Sequence, residues 1–228
     1  CEKTGANIGE VSKAIGTDQR IGKKFLNAGP GFGGSCFKKD ILSLVYLCSY
    51  YRLDEVAQYW ENVIKINDWQ QDRISRLIIG NLFGTIENKK IAILGFAFKA
   101  DTNDTRESPA INISKNLLQE GAKLSIYDPK VEEEKINFEL NSCFDDFANS
   151  KDKYNWKRFD SIEDTVSGAD AIVLLTEWEE FKYLPWGNLL KLLRKPAWIF
   201  DTRNILDPND FRSTGINLWI NGRGENLN

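Results

Sequence analysis

The sequence predicts an α/β protein: a helical dimerisation segment with a long connecting helix, followed by a Rossmann-like, doubly wound parallel sheet. Apolar residues recur at helical spacing from Glu55 to about Leu82. Short apolar runs then alternate with amphipathic stretches, which is the pattern of parallel strands joined by crossover helices. We therefore place the helical segment at residues 1–87 and the sheet domain at residues 88–228.

The helical segment is predicted to contain three helices. Ile8, Val11 and Ile15 recur at helical spacing in the first, the second covers residues 36–52, and Asp54 can cap the third. At about 1.5 Å per residue the third helix is about 40 Å long, which exceeds what one small core needs. We predict that it lies between domains or in a dimer interface.

Five apolar runs are predicted to be the strands of the sheet, at residues 89–98, 122–128, 171–176, 197–202 and 216–220. Residues 108–121 form an amphipathic helix with Ser at the N-cap and Pro at the first helical position. Further helices are predicted at residues 161–167 and 186–193. Residues 131–159 are charged and aromatic without a period, and we expect a surface insertion there.

Composition argues against several classes of protein. A net charge of -3 and a pI of about 5.3 argue against general nucleic-acid binding. No apolar run is long enough to span a membrane and no signal peptide opens the chain, so we expect a cytoplasmic protein. The chain starts without a methionine, which indicates a fragment or a processed piece.

The cysteine and histidine content constrains the chemistry. No histidine is present and the cysteines show no CxxC spacing, so we expect no metal site and a reducing compartment. Proton transfer must therefore use carboxylates, lysines, tyrosines or water. The four cysteines are Cys1, Cys36, Cys48 and Cys143.

The stretch GPGFGGSCFKKD, residues 29–40, is the candidate reactive segment. Cys36 is expected where a glycine-rich loop becomes a helix, with Ser35 as the N-cap candidate. The free N–H groups and the dipole of a helix N-terminus stabilise a thiolate. Asp40 lies four residues later on the same helix face. We predict a reactive cysteine; the alternative is a structural cysteine beside a turn.

Three cationic residues are candidates for anion binding. Arg20 precedes the glycine loop, and Lys99 and Arg106 follow the first strand, at the edge where ligands of such sheets lie. This strand–helix turn has one glycine where the dinucleotide fingerprint has three. The alternative is a solvated basic face at Arg20, and for the other two salt bridges with Asp101, Asp104 and Glu107.

GPGFGGSCFKKD, followed in order by ILGFAFKADTNDTRESP, YDPK, TEW and FDTRN, resembles the UDP-glucose 6-dehydrogenase family of nucleotide-sugar dehydrogenases. The resemblance covers essentially the whole chain, but only the end of the family's central helical region and its C-terminal UDP-binding domain. The family's N-terminal Rossmann domain and three catalytic residues would lie upstream. The resemblance implies oxidation of UDP-glucose to UDP-glucuronate with two NAD, through a thiohemiacetal and a thioester on the cysteine.

Carried onto this chain, the resemblance implies that Cys36 is the nucleophile and that Asp40 positions or activates water. It implies substrate contacts at Arg20, Phe25, Asn27, Ala28, Gly29, Pro30, Gly31, Phe32, Gly33, Phe98, Lys99 and Arg203. It implies NAD contacts at Cys36, Phe37, Lys38, Lys39 and Arg106. Arg20 resembles an arginine given to the neighbouring subunit's substrate, so we expect a homodimer or a higher homo-oligomer.

Two alternatives stay open. The substrate of the family member could be another nucleotide sugar, a UDP-N-acetyl sugar or GDP-mannose, because the residues that decide this lie partly upstream. As an isolated piece without a complete cofactor domain, the chain could also be a non-catalytic UDP-binding or dimerisation module. We expect the piece alone to bind UDP or UDP-glucose without turning over NAD.

Overall fold

The computed structural model describes residues 1–142 and 155–224. Three helices come first, with α1 at Ile8–Ile15, α2 at Phe37–Tyr50 and α3 at Asp54–Asn81. Helix α3 has 28 residues, and α2 packs against it. In the described part of the chain no helix is long and apolar enough to cross a membrane.

Two helix starts differ from the prediction by one residue. Cys36, not Ser35, is the N-cap residue of α2, and its side chain makes no capping hydrogen bond. The hydroxyl of Ser35 instead lies 3.6 Å from the sulfur of Cys36. Leu53 precedes α3 and Asp54 is its first helical residue, where the carboxylate still interacts favourably with the helix dipole.

The strands are β1 Lys90–Leu94, β2 Lys123–Tyr127, β3 Trp156–Arg158, β4 Ala171–Leu174, β5 Trp198–Asp201 and β6 Asn217–Ile220. They form a parallel sheet in the order β3-β2-β1-β4-β5-β6. The connecting helices are α4 Pro109–Gln119, α5 Glu133–Ser142, α6 Ile162–Val166, α7 Glu179–Lys182 and α8 Trp186–Leu192, with a 3-10 helix at Pro208–Phe211. The predicted fold class is confirmed, and the strand order reverses between β1 and β4, where such folds bind ligands.

The first strand is shorter than predicted. Gly95 follows β1 with φ 92, and a Cβ on it would lie 2.4 Å from the Cβ of Thr176. Without a side chain, Gly95 leaves room for Thr176, which follows β4, and β1 ends at Leu94. The apolar residues that follow are buried in the loop, where Phe96 and Ala97 donate their N–H groups to Asp128 Oδ2.

The predicted surface insertion is wrong in its described part. Helix α5 lies in it, and Val131, Ile136 and Leu140 are buried. Strand β3 pairs with β2 at the edge of the sheet. Both elements were missed because charged residues interrupt the apolar period and β3 is only three residues long. Residues 143–154, including Cys143, lie outside the described residues.

The core of the sheet extends into the long helix. Ile74 and Ile78 on α3, and Leu82 just after it, belong to the same buried cluster as the strands. The carboxyl-terminal part of α3 also packs against α4. One helix therefore joins the region that carries Cys36 to the sheet that carries Arg203.

Candidate functional site

A cavity of about 520 Å³ lies between the glycine loop, α3 and the carboxyl ends of β1, β4 and β5. This is the size of a small-molecule site, and it lies at the topological switch point. Of the predicted substrate residues it is lined by Phe25, Asn27, Gly29, Gly31, Phe32, Gly33, Phe98, Lys99 and Arg203. Sequence reasoning missed five further lining residues, Val63, Ile66, Asn67, Gln70 and Glu177.

Arg203 is a fixed cation in the cavity wall. Its Nε donates to the Leu175 carbonyl at 2.7 Å and its Nη2 to the Phe98 carbonyl at 3.1 Å. Its Nη1 lies 3.1 Å from Glu177 Oε2, and the side chain is 11% exposed. Burial lowers the pKa of Arg203, while the charges of Glu177 and Asp201 oppose this shift. Two carbonyl acceptors and one carboxylate at ion-pair distance hold the guanidinium in one orientation.

Lys99 differs from Arg203 in being exposed and free of carboxylate partners in the described ranges. Its Nζ lies 5.4 Å from the centre of the Phe98 ring. Among the described residues the alternative of a salt bridge is therefore not realised at Lys99, whereas it is realised at Arg106. Arg106 pairs with Asp104 at 2.8 Å, and the hydrogen bonds and charge of Asp104 raise the pKa of Arg106. Lys99 remains available to an anion.

Two glycines let the loop approach other backbone and side-chain atoms closely. A Cβ on Gly33 would lie 2.3 Å from the carbonyl oxygen of Glu107. Gly31 has φ 138, and a Cβ there would lie 2.8 Å from Asn67 Oδ1. Gly34, which follows Gly33, donates its N–H to the Arg106 carbonyl at 2.8 Å. The loop is therefore seated on both α3 and the segment that precedes α4.

Cys36 is exposed at the start of α2. Asp40 is also exposed, and its N–H donates to the Cys36 carbonyl at 2.8 Å in the first turn. The Phe37 ring packs edge-on against the Phe32 ring at 4.6 Å. The structure thus places Cys36 and Asp40 one helical turn apart, as the spacing predicts.

A second cavity, of about 600 Å³, is lined by residues on both sides of Cys36 in the chain. Lys38 and Lys39 line it, and Lys38 Nζ pairs with Glu107 Oε2 at 2.8 Å. The other lining residues are Ser35, Leu42, Ser43, Tyr46, Leu47 and Glu107. Residues near Cys36 in the chain therefore line two different cavities: Phe32 and Gly33 line the first, and Ser35, Lys38 and Lys39 line the second.

Three predicted substrate residues line neither of these cavities. The Arg20 side chain is 89% exposed and pairs with Asp18 at 2.6 Å. Ala28 is half-buried, and Pro30 is buried within the loop. Arg20 is thus not part of the site formed within this chain, and its role toward a neighbouring subunit stays a prediction.

The missed residues line the cavity from distant parts of the sequence, and Asn67 and Gln70 also bond to the loop. Asn67 and Gln70 lie on α3, and Glu177 follows β4 in the TEW motif, where no single residue was given a role. Asn67 forms a polar stripe with Gln71 and Ser75 on a long helix, but the burial that distinguishes this stripe is visible only in the folded chain. In the described ranges no group of three His, Cys, Asp or Glu side chains could hold a metal ion.

Two family models match the chain. The model described as the UDP-binding domain of the UDP-glucose/GDP-mannose dehydrogenase family matches residues 92–208. The model of the central domain of the same family matches residues 1–69. The matched segments contain both halves of the site, Cys36 in the first and Arg203 in the second.

Curated relatives match over nearly the whole chain. UDP-glucose 6-dehydrogenase 4 of Arabidopsis thaliana is 47% identical over 235 residues, which cover 98% of this chain and 48% of the relative. UDP-glucose 6-dehydrogenase of Gallus gallus is 51% identical over 225 residues, which cover 98% of this chain and 45% of the relative. The chain therefore spans about half the length of the curated relatives that it matches.

Solved structures share the fold. An NDP-N-acetyl-D-galactosaminuronic acid dehydrogenase from Methanosarcina mazei Go1 matches with a TM-score of 0.75 and 24% identity, over 98% of this chain and 46% of that one. A UDP-D-ManNAc dehydrogenase from Pyrococcus horikoshii matches with a TM-score of 0.71 and 27% identity, over the same shares.

Proposed function

The chain belongs to the UDP-glucose/GDP-mannose dehydrogenase family, and on this premise we propose that it is the C-terminal portion of an NAD-dependent UDP-glucose 6-dehydrogenase. The observation that carries the proposal is the course of residues 29–40, which line the cavity of Arg203 and Lys99 at one end and present Cys36 at the other. Residues 1–87 are assigned to the central helical region and residues 88–228 to the UDP-binding domain.

The switch-point cavity is the proposed site of the UDP-sugar. A diphosphate needs cations, and the cavity offers Arg203 in a fixed orientation and Lys99 without a carboxylate partner in the described ranges. The rings of Phe25 and Phe98 supply apolar faces in the same wall. The glycine loop wraps the sugar end, which brings the C6 atom toward Cys36.

The opposite side of Cys36 is the proposed contact with NAD, which accepts hydride from the sugar. Lys38 and Lys39 line the second cavity, where Lys38 is paired with Glu107. Phe37 and Arg106 are assigned to the same contact although they do not line that cavity, and Arg106 is paired with Asp104. Binding of an anionic dinucleotide would draw on these cations. The turn after β1 does not fit a dinucleotide in the usual way, because Gly95 packs on Thr176. We therefore assign the main NAD-binding surface to the half of the relatives that this chain does not match.

Cys36 is the proposed nucleophile of the second oxidation. Loss of a hydride from C6 and of the hydroxyl proton gives the aldehyde, and Cys36 Sγ adds to it to form a thiohemiacetal. A second hydride and a proton leave, giving a thioester. Water, positioned by Asp40, adds to the thioester, and the C–S bond breaks to give the carboxylate and the free thiol. Without histidine in this chain, protons pass to water, to Asp40 or to residues outside it.

An exposed apolar face on α2 and α3 is the proposed homodimer contact. Large apolar side chains rarely cluster on a surface without a partner. The exposed apolar residues of these two helices that line neither cavity include Leu44, Tyr50, Val56, Tyr59 and Trp69. In such a dimer Arg20 would reach the neighbouring subunit's substrate.

Titration calorimetry of this chain with UDP and UDP-glucose tests the site. We expect both to bind, and Lys99→Met to weaken both by at least about tenfold, because one phosphate partner is lost at nearly constant volume. Lys191→Met, on the exposed face of α8, is the control and should bind as the unchanged chain does. Absence of heat and of competition by UDP at millimolar concentrations would contradict an autonomous site.

UDP-glucose is preferred over an N-acetyl sugar as the substrate, because the relatives named UDP-glucose 6-dehydrogenase are 47% and 51% identical. Comparing product formation from UDP-glucose, UDP-N-acetyl sugars and GDP-mannose with the longer protein tests this preference. A higher kcat/KM with one of the other sugars would reverse it.

A further inference from the structure

We propose that Asn67 is a positioning residue, whose side-chain amide fixes the backbone of Phe32 and thereby sets the place of Cys36 beside the switch-point cavity. The catalytic consequence rests on the proposed function, whereas the contact itself does not. Asn67 lies on α3 and touches the loop that carries the thiol, not the reacting atoms.

The Asn67 amide pairs with both backbone groups of one loop residue. The N–H of Phe32 donates to Asn67 Oδ1 at 2.8 Å, and Asn67 Nδ2 donates to the Phe32 carbonyl at 3.2 Å. The two residues are 35 positions apart, and Asn67 is 7% exposed. The amide thus satisfies both backbone groups of Phe32, as a neighbouring strand would in a sheet. It therefore holds the loop in one position on α3.

Gly31 makes this close approach possible. Its φ is 138, and a Cβ on it would lie 2.8 Å from Asn67 Oδ1 and 3.3 Å from Gln71 Nε2. Any side chain at this position would push the Asn67 amide away from Phe32. The glycine before the clamped residue and the asparagine on the helix are therefore parts of one arrangement.

The position of Phe32 affects that of Cys36 through a ring contact and through the short backbone between the two residues. The Phe32 ring packs edge-on against the Phe37 ring at 4.6 Å, and Phe37 is the first residue of α2. Cys36 is the N-cap residue directly before it. A movement of Phe32 therefore moves the helix start that presents the thiol, both through the backbone and through the ring pair.

A polar seam fixes the rotation of α3 so that Asn67 faces the loop. Gln71 and Ser75 follow Asn67 at one-turn intervals and are buried. Asn112 Nδ2 donates to Gln71 Oε1 at 2.7 Å, and Asn116 Nδ2 donates to Ser75 Oγ at 3.2 Å. Apolar side chains would pack these two helices at lower cost, but they could not hold a loop backbone.

Asn67→Leu and Asn116→Leu form a matched pair. Each replaces a hydrogen-bonded amide by an apolar group of similar size. Asn67 on α3 bonds to Phe32 of the loop, whereas Asn116 on α4 bonds to Ser75 and Asp72 on α3. Two properties of this chain are measured: the exchange rate of the Phe32 amide hydrogen, and the alkylation rate of Cys36 with the exposed Cys1 as internal reference.

In Asn67→Leu we expect Phe32 amide exchange to accelerate at least about tenfold, because its acceptor is lost. The Cys36 alkylation rate relative to Cys1 should change at least about threefold, and Asn116→Leu should change either rate less than about twofold. If Asn67→Leu does not fold, Gly31→Ala breaks the same contact from the loop side and should have the same effects. Unchanged rates in Asn67→Leu, or equal changes in Asn116→Leu, would overturn the assignment.

In the longer protein the clamp should matter for the step that uses the thiol. We expect Asn67→Leu to slow formation of the second NADH of a single turnover at least about tenfold, while the first changes less than about threefold. Equal slowing of both phases would overturn the positioning role. A longer protein that forms no NADH from UDP-glucose would refute the proposed function, whereas the loop measurements on this chain would still test the clamp.

Discussion

The carbonyl oxygen of Gly29 lies 2.9 Å from Nδ2 of Asn221, although 192 residues separate them. The same nitrogen donates to the Thr202 carbonyl at 3.0 Å, and Asn221 is 5% exposed. One amide therefore joins the glycine loop to the carboxyl ends of β5 and β6. Together with Asn67 on α3, it explains how a segment with few side chains keeps a defined position.

Asn221→Ala should destabilise the chain, because it leaves the Gly29 and Thr202 carbonyls without this donor. We expect a loss of about 1–3 kcal/mol in the free energy of unfolding, measured by urea denaturation. Asn188→Ala, on the exposed face of α8, is the control and should stay within about 0.5 kcal/mol of the unchanged chain. Equal stabilities of the two variants would contradict the role of Asn221.

Gly33→Ala should displace the loop, because the new methyl group would lie 2.3 Å from the Glu107 carbonyl oxygen and 3.0 Å from Phe98 Cβ. We expect UDP affinity to fall at least about tenfold, since the loop lines the cavity. Gly187→Ala in α8 is the matched control, because its Cβ meets nothing within 4 Å. Calorimetric titration of both variants with UDP measures this difference. Similar UDP affinities of the two variants would be evidence against a close-packed loop.

Arg203→Lys should weaken UDP binding even though it keeps the charge. A lysine cannot replace the planar fork that reaches Leu175, Phe98 and Glu177 together. We expect an increase in the dissociation constant of at least about tenfold, while Arg194→Lys, at an exposed pair with Asp170, leaves binding unchanged. An affinity of Arg203→Lys within about twofold of the unchanged chain would show that charge alone suffices.

Tyr127 should make the free energy of unfolding depend on pH in the alkaline range. Burial raises the pKa of Tyr127 to about 12, and the charge of Glu180 and the 3.3 Å hydrogen bond to it add to the shift. Between the ordinary tyrosine pKa of 10.0 and about 12 the unfolded chain loses this proton and the folded chain keeps it. The free energy of unfolding should therefore fall as the pH rises through this interval.

Tyr127→Phe removes the titrating group while keeping the ring, so its stability should fall less steeply than that of the unchanged chain over the same interval. Other groups titrate equally in both proteins, so the difference between the two urea-denaturation series isolates Tyr127. Parallel curves would contradict the raised pKa.

Local signals sufficed for the elements that local contacts determine. Helix α4 begins as predicted, with Ser108 at the N-cap and Pro109 at the first position, because those preferences act within a few residues. The end of β1 at Leu94 could not be predicted in this way. Its cause is the approach of Thr176 to Gly95, and these two residues become neighbours only when the sheet has formed.

The same distinction holds for the site. The loop and Cys36 form one continuous stretch and were found from its composition and motif. Asn67 and Asn221 were missed, because each acts on a carbonyl or N–H group far away in sequence. The sequence around an asparagine on a long helix or after a strand does not indicate which distant residue it will contact. Such contacts can therefore be identified only in the folded chain.

The most direct test of the central claim is the NADH yield of the longer protein with Cys36→Ser. Cys36 is exposed at the start of α2, so the change removes the proposed nucleophile while keeping a side chain of similar size. With limiting UDP-glucose, we predict that the unchanged protein forms two NADH and one UDP-glucuronate per UDP-glucose. Cys36→Ser should form no more than one NADH and no UDP-glucuronate, whereas a full yield of both from Cys36→Ser would contradict the assignment of Cys36 as the nucleophile.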